Sequence, residues 1–537
     1  MLLHRMWYLI SIQWLFLLAS SSIGLIQVRS QEGPLFASSR WIVDGEGRRV
    51  KLACVNWPSH LQPVLAEGLN MQPVDNIMEL VNDMGFNCVR FTWPLELATK
   101  ETLASTTVKQ MFTWLGLNQS LANITTHNPW VVDLTIADAF ETMLERFQQN
   151  KLMVVLDNHI TVPGWCCGLN DGNGFFGDRF FDPSVWMKGL NKMALLATKF
   201  PNVIGMSLRN ELRGPKSDVD LWYMYVRQGA ETVHAANPNV LVILSGLDYD
   251  KDLSFIHKRP VNVSFTGKVV FEHHWYSFSH SGAWKGNLND ACGWISASIM
   301  DKAGFIADED RAPMFESEFG INAQKGDVND DRYINCFMAM AADQDWDFAV
   351  WALQGSYYFR EGVVGMDEWY GLLNYEWNDV RNPTWLKRLS SLQKPFRGPE
   401  MKQSPTNDGV LFHPQTGLCV LEGKDAGWPL SLGPCNDATG WTYTPQETFL
   451  LKGRNQFLQA AGAQKPVQLV KSEPLASRWN QTSNSKLHLS AKAADGIMVC
   501  LDVDGVNLVT NECKCLAVDS SCDPTSQWFK LVKSSHI

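Results

Sequence analysis

Two short stretches place a carboxylate where an apolar run ends. Ser207-Leu208-Arg209-Asn210-Glu211 closes a run that begins at Val203, and Pro313-Met314-Phe315-Glu316-Ser317-Glu318-Phe319-Gly320 does the same about a hundred residues later. Each reads as a buried strand that hands an acid to the loop leaving it. Two carboxylates facing one scissile bond are the minimal equipment for cleaving a glycoside: one protonates the bridging oxygen and the other attacks the anomeric carbon. Glu211 is the candidate acid/base. The Asn210 amide beside it can hold a sugar hydroxyl, and burial near a second carboxylate supplies the raised pKa such an acid needs. Glu318 is the candidate nucleophile, kept ionised by Arg90 and the hydroxyl of Tyr276. Glu316 competes for that role, because residues two apart on a strand share a face and both acids would point inward. Glu318 is preferred as the nearer to the strand exit.

Bringing these residues together takes a particular set of elements. Near-continuous apolar runs occur at Leu52 to Trp57, Asn87 to Trp93, Leu152 to His159, Val203 to Leu208, Val240 to Ser245, Val269 to Tyr276, Met314 to Glu318 and Phe348 to Leu353. Helical spacing intervenes at Pro73 to Met84, where Ile77, Leu80, Val81 and Met84 form one stripe, and again at Ala137 to Phe147, Asp218 to Ala235 and Thr384 to Leu392. Eight such strands separated by helices specify an α/β fold, the closed (β/α)8 or TIM barrel. Chemistry in these barrels sits on the loops leaving the C-terminal strand ends. Arg90, His159, Asn210-Glu211, His274 with Tyr276, Glu318 and Trp351 each lie toward that end of a different strand.

Other chemistries fit less well. Glu272-His273-His274, with His159 elsewhere, lacks the helical spacing of a zinc site, and adjacent strand residues face opposite sides. Asp171-Gly172-Asn173-Gly174 opens like a calcium loop, but Phe176 and Asp182 stand where that loop needs Gly and Glu. No phosphate-cradling or dinucleotide-binding glycine motif occurs, so neither a metal nor an organic cofactor is expected.

After Lys394-Pro395-Phe396-Arg397-Gly398-Pro399 the helical periodicity stops and short strands with Gly, Asn and Gln turns take over. Three weak repeats run from Gly417 to Trp441, Phe457 to Trp479 and Cys500 to Trp528. A threefold repeat with an aromatic closing each unit suggests a small all-β trefoil domain. The expected organisation is a secretory signal over 1–30, the barrel over 31–398 and the trefoil over 399–537.

The signal is read from Arg5, the mostly apolar stretch Trp7 to Ile26, and the small Ser30 before Gln31. An uncleaved membrane anchor is the competing reading of that stretch. Twelve cysteines fit an oxidising compartment, and acceptor sequons stand at Asn118, Asn123, Asn262 and Asn480. Removing residues 1–30 moves the formal charge from −10 to about −12. Such an acidic chain is a poor phosphate binder, which excludes nucleic acid as partner. The expected protein is secreted, off the membrane after cleavage, and monomeric. Its 22 tryptophans suit sugar faces, with core burial the plainer explanation for most.

These positions, within residues 35–395, resemble the catalytic set of glycoside hydrolase family 5, the cellulase-like retaining β-glycosidases. The matching features are Arg90 on the second strand, His159 ending the third and Asn210-Glu211 after the fourth. His274-Trp275-Tyr276 ends the sixth, Glu318-Phe319-Gly320 follows the seventh, and Trp351 is on the eighth. The resemblance implies Glu211 as acid/base and Glu318 as nucleophile, with Arg90 and Tyr276 tuning the latter. It also implies Asn210 on the sugar 2-hydroxyl, and His159, His274 and Trp351 lining the subsite before the cleaved bond. The substrate would be a β-glucan, β-mannan or related polysaccharide or oligosaccharide. The tail resembles a ricin B-type lectin domain, a fusion that occurs in plants, which implies a cell-wall location. That likeness and the loop length imply a Cys419–Cys435 disulfide. Only the third repeat, with Asp502 and Asp504, approaches a lectin pocket, so sugar binding by the tail and a structural tail both stay open. Cys166 and Cys167 are expected not to pair with each other, and Cys292 is a candidate partner for one of them. The insertion between Trp93 and Asp133 and the loop Gly164-Trp165-Cys166-Cys167-Gly168 are expected to overhang the cleft. A transglycosylase would use the same residues. A binding protein with an inactive barrel is the reading from another class, opposed by the intact pair of acids.

Overall fold

Eight parallel strands close into a barrel: β1 (Ala53–Trp57), β2 (Cys88–Pro94), β3 (Met153–Ile160), β4 (Val203–Ser207), β5 (Leu241–Leu244), β6 (Val269–Trp275), β7 (Met314–Phe319) and β8 (Asp347–Val350). The computed structural model describes residues 33–535 apart from 281, 325, 402–406, 426, 494 and 518–521. The signal expected over 1–30 lies outside the described residues. Neighbouring strands follow chain order, and β8 closes on β1 with Phe348 opposite Ala53. All eight expected strands are present, and they are buried along their length except for the half-exposed Val269. That is why their sequences run apolar instead of alternating.

The outer layer holds α1 (Val74–Asp83), α2 (Ile136–Gln149), α3 (Pro183–Ala197), α4 (Val219–Ala236), α5 (Leu288–Ile299), α6 (Val328–Gln344) and α7 (Pro383–Leu389). Asp182 and Asp218 cap α3 and α4 by accepting their first free N–H groups. These helices also fix the strand exits. The Trp186 indole N–H on α3 donates to Leu208 O after β4, and the Trp222 indole N–H on α4 donates to Ser245 O after β5, both at 3.0 Å. The Tyr333 hydroxyl on α6 donates to Trp275 O at the end of β6. Core burial with a bonded indole accounts for these tryptophans. A side chain on Gly229 of α4 would meet the Trp186 ring at 2.4 Å, so close packing of α3 on α4 requires glycine there.

Two expectations about the connections need correction. The β5–β6 connection carries no α-helix, only a single 3-10 turn at Ser254–His257. Pro260, Val261 and Val263 leave that segment without a helical stripe. The insertion after β2 does not overhang the cleft. It folds into short helices whose Val108, Met111, Phe112 and Ile124 join the barrel core, and the Asn128 amide donates to Leu69 O and Gln72 O. Its own apolar stripe commits it to packing.

The segment beyond α7 is a separate all-β domain. Three runs of four strands span Asn407–His413 to Gly440–Tyr443, Phe449–Leu451 to Trp479–Gln481 and Leu489–Lys492 to Lys530–Val532, with Lys465–Pro466 as an added short strand. First and last strands pair, Val410 opposite Val532. Trp441, Trp479 and Trp528, which end the three sequence repeats, are all fully buried. The domain docks on α5, α6 and α7. The Trp528 indole N–H donates to Asn289 Oδ1 at 3.0 Å, Lys530 pairs with Asp343 at 2.9 Å, and Phe412, Leu487 and Val532 join the barrel's apolar cluster.

Disulfides follow the same logic of adjacency. Cys54–Cys88 joins β1 to β2, and Cys419–Cys435 forms as expected. Cys500–Cys513 and Cys515–Cys522 tie the third run. Cys292 pairs with Cys336 because α5 and α6 bring their Cα atoms to 5.6 Å. Cys166 and Cys167, left with no other partner, pair with each other, against expectation.

Trp528→Ala removes a buried indole that spans the two domains. Chemical denaturation is expected to read a loss of about 3–5 kcal/mol, with the barrel and tail transitions shifting together.

Candidate active site

Arg90 is the fully buried centre of the barrel's C-terminal end. Its guanidinium donates to Asn56 Oδ1 on β1 at 2.9 Å, to Asn210 Oδ1 after β4 at 2.9 Å and to Glu318 Oε1 on β7 at 2.8 Å. Asp157 on β3 stands 3.1 Å away and Glu272 on β6 3.6 Å. Burial opposes its charge, but Asp157, Glu272 and Glu318 together push its pKa up, so it stays a cation.

Glu318 takes Arg90 on one oxygen and the Tyr276 hydroxyl on the other at 3.1 Å. Burial raises its pKa, and His274 and Arg90 offset only part of that rise. Tyr276 is itself held well above the usual phenol range by burial and by Glu318, so it remains a donor. Glu211 faces Glu318 across His274. One ring nitrogen and one oxygen from each acid all lie within 4.8 Å of one another. His274 Nδ1 is 3.1 Å from Glu211 Oε1 and 3.9 Å from Glu318 Oε2, and its Nε2 is 3.0 Å from Ser317 Oγ. Burial lowers the His274 pKa to about 4, so the ring is neutral near pH 7. Burial raises Glu211 to about 7. Glu211 also sits at φ +49, and its N–H donates to Asp250 Oδ2 at 2.9 Å. That backbone grip holds a conformation few non-glycine residues adopt.

Glu316 does not point inward with Glu318. The pairing of β6 with β7 slips between His273 and His274, so that His273 stands opposite Glu316 and His274 opposite Glu318. The extra residue, Ser317, reverses the alternation, and Glu316 turns away to bind His273 Nδ1 at 2.8 Å. Ordinary alternation along β6 puts Glu272 and His274 on the inner face and His273 on the outer one, which divides the Glu272-His273-His274 cluster.

His159 Nδ1 lies 2.6 Å from Asp157 Oδ2, and its ring stacks on Trp351 at 5.6 Å and 17°. Burial and Arg90 hold its pKa well below the usual imidazole value. All eight residues singled out in the sequence therefore meet at one mouth. Seven of them, His159, Asn210, Glu211, His274, Tyr276, Glu318 and Trp351, line a cavity of about 470 Å³, and Arg90 lies beneath it. Trp165 and the Cys166–Cys167 pair line it too, as the overhanging loop led us to expect, and the Asn210 amide points at Cys167 Sγ at 3.4 Å. Sequence reasoning missed Asn56 and Asp157, and weighed Glu272 only as a metal ligand. Each is a polar residue inside an apolar strand, a signal that was there to read. Asp250 had no such signal. It ends a run of three left-handed residues after β5, held there by the His274 N–H donating to its carbonyl at 3.2 Å.

Comparisons with known proteins bear on the family and the fold. The family model described as cellulase (glycosyl hydrolase family 5) matches residues 58–356. A glycosyl hydrolase 5 family protein of Chamaecyparis obtusa is 39% identical over 541 residues, covering 97% of this chain and 96% of that protein. An endoglucanase of Paenibacillus polymyxa is 20% identical over 63% of this chain and 84% of its own length. Among solved structures, an endocellulase from the archaeon Pyrococcus horikoshii superposes with a TM-score of 0.55 at 16% identity, over 67% of this chain and 99% of that one. At that identity the likeness shows the fold alone. The family match and the Chamaecyparis obtusa relative show more: the chain belongs to glycosyl hydrolase family 5.

Proposed function

We propose that the protein is a retaining β-glycosidase acting on a β-linked glucan, mannan or related saccharide. The observation that carries this reading is the short reach between two acids in opposed environments, oxygen atoms of Glu211 and Glu318 lying within 4.8 Å. Retaining enzymes hold their carboxyl groups about 5–5.5 Å apart, and inverting ones leave room for a water between them. Glu318, paired with Arg90 and Tyr276, attacks the anomeric carbon while Glu211 gives its proton to the leaving oxygen. Glu211 then takes a proton from water, which releases the sugar from Glu318. The Asn210 amide is placed for the 2-hydroxyl, because Arg90 already occupies its oxygen and the N–H₂ meets only the weakly accepting sulfurs of Cys166 and Cys167.

The same reading takes the protein as secreted, with glycans at Asn118, Asn123, Asn262 and Asn480, and the tail as a ricin B-type trefoil. Three four-stranded runs, each ending near a buried tryptophan, support the trefoil. Asp502 of the third run is bonded by Asn511 and Gln527, each at 3.0 Å.

Sugar release from β-glucans, β-mannans, xylans and aryl β-glycosides tests the assignment. Glu318→Gln is expected to lower turnover on the order of 10³-fold or more, whereas Glu316→Gln keeps the larger part of it. Equal loss in both variants would sink the choice of Glu318.

Glu211 yields a second prediction. Its folded pKa of about 7 lies above the usual 4.5, so the folded chain binds more protons than the unfolded one between those values. Stability tied to this group is complete below pH 4.5 and declines as pH rises toward 7. Glu211→Gln therefore raises the melting temperature more at pH 8 than at pH 4.5, and wild-type kcat/KM falls above about pH 7 as the acid loses its proton. A melting difference independent of pH would contradict the raised pKa.

A further inference from the structure

Two loops meet across the barrel mouth. The loop after β3 carries Trp165, and the loop after β8 carries Tyr357, Arg360, Glu368 and Tyr370. The Arg360 guanidinium lies 3.4 Å from the centre of the Trp165 ring. It also donates to Glu368 Oε2 at 2.9 Å, an oxygen that takes the Tyr357 hydroxyl at 2.6 Å. The Tyr370 N–H binds the other Glu368 oxygen at 3.0 Å. Glu368 is 4% exposed, so its charge is satisfied almost wholly by these groups. Trp165 leans its edge on Trp351 and Tyr357 at 6.4 and 5.8 Å. A cation held between an aromatic face and a buried carboxylate has little freedom to swing away.

The position of this bridge decides what it does. From β8 to β3 the barrel order passes through β1 and β2, so the contact spans the ends of those two strands. The proton donor stands on the leaving-group side of the scissile bond. Glu211 follows β4, and Tyr249, Lys251 and Phe278, which follow β5 and β6, line the cavity beside it. That side is open: Phe278 is 61% exposed and stacks on Tyr276 at 4.6 Å and 13°. The Trp165–Arg360 contact lies on the opposite side, where the sugars preceding the cleaved bond must lie. The cavity, at about 470 Å³, has the size of a small-molecule pocket.

Resting on the retaining-glycosidase reading, we propose that the Trp165–Arg360–Glu368 bridge makes the site a blind pocket. It admits one or two terminal sugar units on its closed side, so the enzyme works from the non-reducing end and does not cut within a chain. Arg360 and Glu368 are the specificity-determining pair, because together they hold the wall that closes this side of the cavity.

The test uses the full chain with cello- and manno-oligosaccharides labelled at the reducing end, the matching soluble polymers and aryl β-glycosides. From the first time point the wild type is expected to release one short unlabelled sugar, with polymer viscosity nearly constant while reducing ends accumulate. Arg360→Ala and, as a milder change, Glu368→Gln open the wall, so viscosity loss per reducing end rises several-fold. Circular dichroism checks that each variant is folded. Products of mixed length with an early fall in viscosity from the wild type overturn the inference and leave the glycosidase reading intact. The same holds if both folded variants give the wild-type product pattern. No release from any substrate, aryl glycosides included, overturns the glycosidase reading and this inference with it.

Discussion

The structure depends on compensating one buried charge. Arg90 is removed from water entirely, which costs several kcal/mol unless its donors are matched. Its partners are Asn56, Asp157, Asn210, Glu272 and Glu318, from β1, β3, the exit of β4, β6 and β7. No local segment could supply that set. Only closure of the barrel does, and the closure that satisfies Arg90 also aims Glu318 and Asn210 at the same space. Folding and site assembly are a single constraint here.

Around that cation two carboxylates are driven apart in character. Glu318 touches a fixed positive charge and a phenol that stays protonated, and Arg90 with His274 offsets part of the rise that burial causes. Glu211 touches a neutral imidazole, and Asp250 grips its backbone instead of its side chain. At Glu211 burial outweighs the lowering pull of Arg213, Arg90 and Lys251, and its proton persists to about pH 7. Opposed environments for two like groups are what an acid and a nucleophile sharing one bond require.

The sequence made the barrel legible because strands covered on both faces must be apolar throughout, and each polar residue near a strand end then stands out. Arg90, His159, Glu211 and Glu318 could be read that way. What escaped depended on one-residue details. The bulge at Ser317 turns Glu316 outward, and no periodicity argument announces an extra residue in a strand. Asp250 acts through a run of left-handed turn residues that carries no glycine to mark it. The Cys166–Cys167 pairing emerged only once the remaining ten cysteines had found each other across neighbouring elements. The insertion after β2 looked like a cleft wall because its length was visible and its buried face was not.

The tail belongs to the same account. It docks on α5, α6 and α7, and α5 connects β6, which ends in His274 and Trp275, to β7, which carries Glu318. Cys292–Cys336 ties α5 to α6, whose Tyr333 hydroxyl holds the Trp275 carbonyl at the β6 exit. Trp528 buries its indole against this layer and donates to Asn289 on α5. Packing of the tail therefore bears on the helices that set the strand ends where the two acids meet. Among the described residues none of the tail lines the cavity, so the tail meets the barrel at this helical layer and away from the two acids.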